Sequence, residues 1–130
     1  MAPPTSITEF LRLWDFTISH KHALFRRPAS DTEPENLDLV FGAVEYFSLP
    51  TSLNGLDIAE GGAAELAALG PLVGDLPPWA KLFIITSQGQ RHLIVAGFWR
   101  LERNRRDIFD TGIRPGALDS ASTLLAKSGS

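Results

Sequence analysis

The chain has 130 residues, no cysteine, and twelve basic against fifteen acidic side chains for a formal charge of −3. That length is the size of one domain, which needs no metal or disulfide staple to fold, and the missing thiols exclude a disulfide framework, a thiolate zinc site and a cysteine nucleophile. The near-balanced charge argues against general affinity for nucleic acid or lipid. Residues 1–6 lack the basic start and apolar run of a signal peptide, and the longest apolar run, Leu82 to Ile85, is far too short to span a bilayer, so a cytoplasmic protein without a membrane segment is expected.

In chain order, Ile7, Phe10, Leu11 and Trp14 recur at helical spacing. Ser6 with Glu9 three residues on has the form of a capping box, which predicts a short N-terminal helix over Ile7 to Phe16; an extended entry into the first strand is the alternative. Phe16 to Ser19 alternates as a half-buried strand does, and His20-Lys21 then turns the chain into His22 to Arg26. The prolines and acids of Pro28 to Glu35 predict a mobile surface loop. Leu37 to Phe47 reads as a strand covered on both sides and bent at Gly42, with Leu37, Leu39 and Phe41 on one face and Val40, Val44 and Tyr46 on the other. Asn54-Gly55 is a hairpin-turn dipeptide, across which Leu56 to Ile58 would pair back.

Ala63 to Leu69 has the best helical composition in the chain, ended by Gly70-Pro71 and followed by a rigid connector, Leu76 to Trp79. Lys81 to Ser87 and Gln90 to Arg103 form the clearest element, a hairpin around Gln88-Gly89 that sets Thr86 opposite Arg91, Ile85 opposite His92 and Phe83 opposite Ile94. Strict alternation puts Leu82, Ile84, Leu93, Val95, Trp99 and Leu101 on one face, and Phe83, Ile85, His92, Ile94, Ala96, Phe98 and Arg100 on the other. Ile108-Phe109 and Ile113 anchor one further strand or turn, and residues 117–130 are expected to fray. The expected fold is a single α+β domain over residues 1–130. It has an antiparallel sheet of about five or six strands, a short N-terminal helix, and one short helix between Gly62 and Gly70 covering the sheet.

His20 and His22 stand two apart, so on a strand both imidazoles point the same way. With a third ligand from Asp15, Glu45 or His92 they would suit zinc or iron. No carboxylate follows at a familiar metal-box spacing, and a turn at Lys21 would break the shared face, so no metal and no cofactor is expected. Ser19-His20 has no flanking glycine for a nucleophile elbow. Gly61-Gly62 lacks the lysine that a phosphate-binding loop needs. Arg100, Arg103, Arg105, Arg106 and Arg114 crowd one stretch, but Glu102, Asp107 and Asp110 are interleaved and no aromatic platform alternates with them. That pattern suits the rim of an acidic protein partner better than nucleic acid. His92, among Phe83, Ile85, Ile94 and Phe98, reads as a histidine at the edge of the core.

In size and composition the chain is similar to bacterial immunity and adaptor proteins, a likeness that names no residues. The leading expectation is a non-enzymatic protein-interaction module acting as a homodimer, with Trp99, Arg100, Arg103, Arg105 and Arg106 as its binding residues. Large rings such as Trp14, Phe41, Trp79 and Phe98 on both faces of a sheet with only short helices call for a second copy or another protein to cover them. The alternative is a small-molecule binder or small enzyme with a pocket near His20, His22 and His92.

Overall fold

Leu, Ile, Val and Phe at alternating positions build this chain as antiparallel sheet almost throughout. The computed structural model describes residues 4–114 and 122–129. Its elements are β1 (Thr5–Thr17), β2 (His22–Arg27), β3 (Asn36–Gly42), β4 (Tyr46–Ser48), β5 (Ser52–Glu60), α1 (Ala63–Ala68), α2 (Gly70–Val73), β6 (Lys81–Ser87), β7 (Gln90–Ala96), β8 (Phe98–Asn104) and β9 (Ser122–Lys127).

The strands form one sheet in the order β4-β7-β6-β5-β1-β2-β3-β8-β9. β3 and β4 are two pieces of one bent segment, and so are β7 and β8, which meet at Gly97. Because β3 pairs with β8 while β4 pairs with β7, the sheet returns to its own start and closes into a ring. The joint is held by the Gly97 N–H donating to the Gly42 carbonyl at 2.9 Å and the Glu45 N–H donating to the Val95 carbonyl at 2.7 Å. Closure leaves few open strand edges, which is how small β proteins avoid edge-to-edge aggregation.

The ring encloses the main core, where Ile7, Leu11, Phe25, Leu39, Phe41, Leu53, Ile58, Phe83, Ile85, Ile94 and Trp99 meet. Phe25 stands edge-on to Phe41 at 6.4 Å and stacks on Phe47 at 6.0 Å. Two smaller apolar clusters lie outside the ring. Leu82 and Val95 are met by Leu66, Leu69 and Leu76 of the helical segment. Leu24 and Val40 are met by Trp14 and by Ile113 of the segment after β8.

Several expectations are corrected. The fold is mostly β, with nine strands rather than five or six and two short helices among the described residues. The N-terminal segment is strand β1, not a helix. Its register shifts between Ile7 and Phe10 against β5, and between Leu13 and Asp15 against β2. Ile7 and Leu11 face the core, whereas Phe10 is exposed and Trp14 packs outside the ring, so apolar residues from both faces of one strand mimic helical spacing in the sequence. Asn54-Gly55 is no hairpin turn: β5 runs through it, and Gly55, at φ 71°, stands opposite the first of those shifts.

The helix over Ala63 to Leu69 does not cover the sheet. α1 buries no residue and flanks only the β6 and β7 region, and Gly70-Pro71 opens α2 instead of ending the helical run. The hairpin pairs as the sequence implies, Phe83 with Ile94 and Ile85 with His92. Beyond it the alternation slips at Gly97, so Trp99 and Leu101 join Phe83 and Ile94 in the core. Phe98 and Arg100 consequently face outward. Of the tail expected to fray, residues 122–127 form β9, paired with β8, while 117–121 and 130 lie outside the described residues.

Candidate functional site

The outer face of β2, β3 and β8 carries the most unusual chemistry of the chain. Register places Leu24, Val40 and Arg100 side by side, then Arg26, Asp38 and Glu102, then Asn36 and Asn104. Arg26, Asp38 and Asn104 are fully buried although they point away from the main core. A buried charge must be paired and every polar atom satisfied, or folding is penalised by several kcal/mol.

Here both conditions hold. The Arg26 guanidinium is bidentate on Asp38, Nε to Oδ1 at 2.7 Å and Nη2 to Oδ2 at 2.9 Å. Asp38 Oδ2 also accepts from Asn104 Nδ2 at 2.8 Å, and Asn104 Oδ1 accepts from Asn36 Nδ2 at 2.9 Å. Asn36 closes the network on the backbone, accepting from the Ala29 N–H at 2.8 Å and donating to the Arg106 carbonyl at 2.7 Å. The Trp14 ring lies 5.7 Å from the guanidinium carbon, a cation–π contact.

This cluster holds down the segment 105–114. Arg26 donates to the carbonyls of Asp107, at 3.3 Å, and Asp110, at 3.1 Å. Trp14 Nε1 donates to the Ile108 carbonyl at 3.2 Å. On β1, Asp15 accepts from Thr111 Oγ1 at 2.7 Å and pairs with Arg114. Within the loop, Asp107 Oδ1 accepts from the backbone N–H of Phe109 at 2.8 Å and of Asp110 at 2.9 Å, folding a tight turn. At the crest of that turn stand Ile108, 62% exposed, and Phe109, 88% exposed.

Further along the same face, past Leu24 and Val40, the loop gives way to a more open end. His22 on β2 meets Phe98 on β8 edge-on at 5.9 Å, and His20 in the preceding turn lies 6.0 Å from His22. Gly42 makes this possible, since a Cβ there would fall 2.1 Å from the Phe98 ring. The Arg100 guanidinium carbon is 5.9 Å from the same ring, and its Nε is 3.7 Å from Glu102. Partial burial, then the Arg100 charge and His20, push His22 below the ordinary histidine range. Its Nδ1 is buried without a hydrogen-bond partner.

The residues expected to bind therefore separate. Trp99 is a core side chain. Arg100 joins the open end of this face. Arg103 and Arg105 are exposed at the far end of β8, and Arg106 lies under the loop, 3.8 Å from Asp110. His20 and His22 come together, whereas His92 is on β7 opposite Ile85. Six residues, about 20 Å of strand, separate His92 from Phe98. Among the described residues no group of three His, Cys, Asp or Glu side chains is placed to hold a metal ion, and no helix is long and apolar enough to cross a membrane.

An open hollow of about 520 Å³ lies between β1, β5 and the β6–β7 turn. Its polar groups are engaged with one another: Ser6 with Asp57 at 2.6 Å, Ser87 with the Gly55 carbonyl at 2.5 Å, and Gln88 with the Asn54 carbonyl at 2.8 Å.

Sequence reasoning missed Arg26, Asp38, Asn36 and Asn104. The signal was present as polar residues in otherwise apolar strands, Asp38 between Leu37 and Leu39 above all. Comparison with protein-family models, with curated proteins and with solved structures finds no match for this chain.

Proposed function

We propose that this protein is a non-enzymatic binding module, adaptor- or immunity-like in kind, which offers Ile108 and Phe109 to an apolar pocket on another protein. One observation carries this reading: Phe109 is 88% exposed on a loop whose backbone is tied to the fully buried Arg26. A large ring held in water on a fixed backbone is costly for the free protein and favourable for association, because its ordering is complete before binding. Aromatic anchors of this kind dominate binding energy at protein interfaces.

The test compares wild type and Phe109→Ala as immobilised baits in extract of the source cells, with thermal unfolding as the control. A protein retained by wild type and lost by the variant, at equal stability, supports the reading. Equal retention by both sinks it.

A homodimer is the second reading, and β9 favours it. β9 ends the strand order, so its outer edge carries no further strand among the described residues, and Leu124 and Leu125 are 53% and 41% exposed. Two copies of such an edge can pair antiparallel about a two-fold axis. Light scattering over a range of micromolar concentrations decides it: a dimer mass lost in Leu125→Pro, which removes a backbone donor, supports β9 pairing, and a monomer mass throughout dismisses it.

A further inference from the structure

His22, Gly42 and Phe98 lie in one row across three strands. Ala23 pairs with Phe41 and Gly42 with Phe98, so the register sets Gly42 between His22 on β2 and Phe98 on β8. With no side chain at Gly42, the Phe98 ring lies over its backbone and meets the His22 imidazole edge-on at 5.9 Å. The row ends where β3 bends into β4. There the Gly42 carbonyl accepts from the Gly97 N–H and the Lys21 carbonyl from the Val44 N–H, each at 2.9 Å, and Ala43 between them is held in the left-handed region, at φ 53°. A left-handed alanine persists only where its surroundings enforce it. The imidazole and the Phe98 ring thus stand on the joint that closes the sheet.

We propose that His22 is a pH-sensitive latch on this joint, closed while the imidazole is neutral and released when it takes up a proton. The inference uses no residue of the Phe109 loop and requires no partner.

Three observations support it. First, His22 Nδ1 is buried without a hydrogen-bond partner. In a neutral imidazole that nitrogen can remain a bare acceptor. In the imidazolium both nitrogens are donors, and a buried donor without an acceptor is penalised. Second, the groups around His22 do not compensate a new positive charge. They are His20, the Lys21–Glu45 pair at 2.7 Å, Arg100 with Glu102 at 3.7 Å, and Lys127 in register with Arg100, so that each of the two acids already faces a cation. Burial first, and the Arg100 charge next, lower the affinity of His22 for a proton, and the His20 backbone opposes them with the smallest effect. Third, the joint can open locally, because β4 beyond the bend is only three residues long.

The sign follows from linkage. The proton binds more readily once the joint is open and water reaches Nδ1. Opening is therefore favoured as pH falls from the ordinary 6.5 toward the lower midpoint of the closed form, by at most about tenfold per pH unit, and is independent of pH above that window.

The experiment is amide hydrogen exchange of the whole protein by NMR from about pH 8 to about pH 5, expressed as protection factors so that the intrinsic pH dependence of exchange divides out. Gly97 and Val44 report on the joint, and Phe83 and Ile85 of β6 report on global unfolding. Gly97 and Val44 should be less protected than Phe83 and Ile85. On acidification they should lose a further several-fold to about tenfold, levelling off at the His22 midpoint read from its side-chain signals. His22→Gln should abolish this loss, and His20→Gln should leave it in place. A loss that survives His22→Gln and disappears in His20→Gln overturns the assignment. Should His22→Gln fail to fold, the wild type still decides: protection at Gly97 and Val44 that stays flat through the His22 titration, or that falls only in step with Phe83 and Ile85, overturns the proposal.

Discussion

The ring has two covered outer faces, and they are covered by opposite means. Over β6 and β7, Leu66, Leu69 and Leu76 rest on Leu82 and Val95, with contacts that are apolar and non-directional. Over β2, β3 and β8, a loop without regular structure is fastened by Arg26, Asp38, Asn36 and Asn104, every bond of which has a direction and a partner. An apolar lid can slide and still be stable. A lid held by a bidentate ion pair and backbone carbonyls has one geometry, and it sets where Ile108 and Phe109 stand. Burying ions is seldom the cheapest route to stability, but it can specify a conformation; here the conformation specified is that of a loop with an exposed ring.

The comparison can be broken most directly at Arg26. Arg26→Ala leaves the buried Asp38 carboxylate without its cation and should cost about 3–5 kcal/mol in urea unfolding. Replacing both partners, as Arg26→Met with Asp38→Leu, should recover much of that stability while leaving the 105–114 loop loose, seen as faster amide exchange at Phe109 and Asp110. If the loop stays as protected in the double variant, the ion pair does not position it. On the other face, Leu82→Ala should cost about 2–5 kcal/mol by cavity formation, without selective loosening of any loop. Comparable release of residues 105–114 there would show that the two lids are not independent.

A smaller effect is expected at the open end. His22 has a midpoint below the ordinary 6.5, so the unfolded chain takes up the proton first as pH falls. Stability should therefore decline as pH drops through about 6.5 toward the lower midpoint of His22, and His22→Gln should lack that part of the decline. Parallel pH profiles for the two proteins in urea unfolding would remove His22 from the account. Smallest of all, Phe109→Ala should change stability by no more than about 0.5 kcal/mol, because the ring touches little in the free protein. A larger loss would make Phe109 a structural residue and undercut its role in binding.

The candidate site was legible only in fragments. His20 and His22 were visible as a pair, and Arg100 as part of an arginine group, but nothing in linear order brings Arg100 beside His22. That adjacency comes from β3 lying between their strands and from Gly42 clearing room for Phe98. Strict alternation through Gly97 would put Trp99 on the face of Leu82 and Val95; the backbone bends at Gly97 and exchanges the faces, which takes Trp99 into the core with Phe83 and Ile94. The Arg26 network draws on β2, β3, β8 and the loop, with Arg26 and Asp110 far apart in the chain, and local pattern carries no information about such a meeting.

By itself the sequence determined the hairpin of β6 and β7, down to its register, because both strands flank the tight turn at Gln88-Gly89, which fixes which residues face each other. It also determined that β2 follows a turn at His20-Lys21 and that residues 28–35 are exposed loop. Only the tertiary structure decided that residues 5–17 are a strand. That strand pairs with β2 on one side and β5 on the other, and Phe10 and Trp14 on its outer face hide the alternation of Ile7, Leu11 and Leu13 on its inner face. Ring closure was likewise decided by long-range pairing: bending β3 into β4 and β7 into β8 gains a full set of hydrogen bonds and a shared core that neither segment can reach alone.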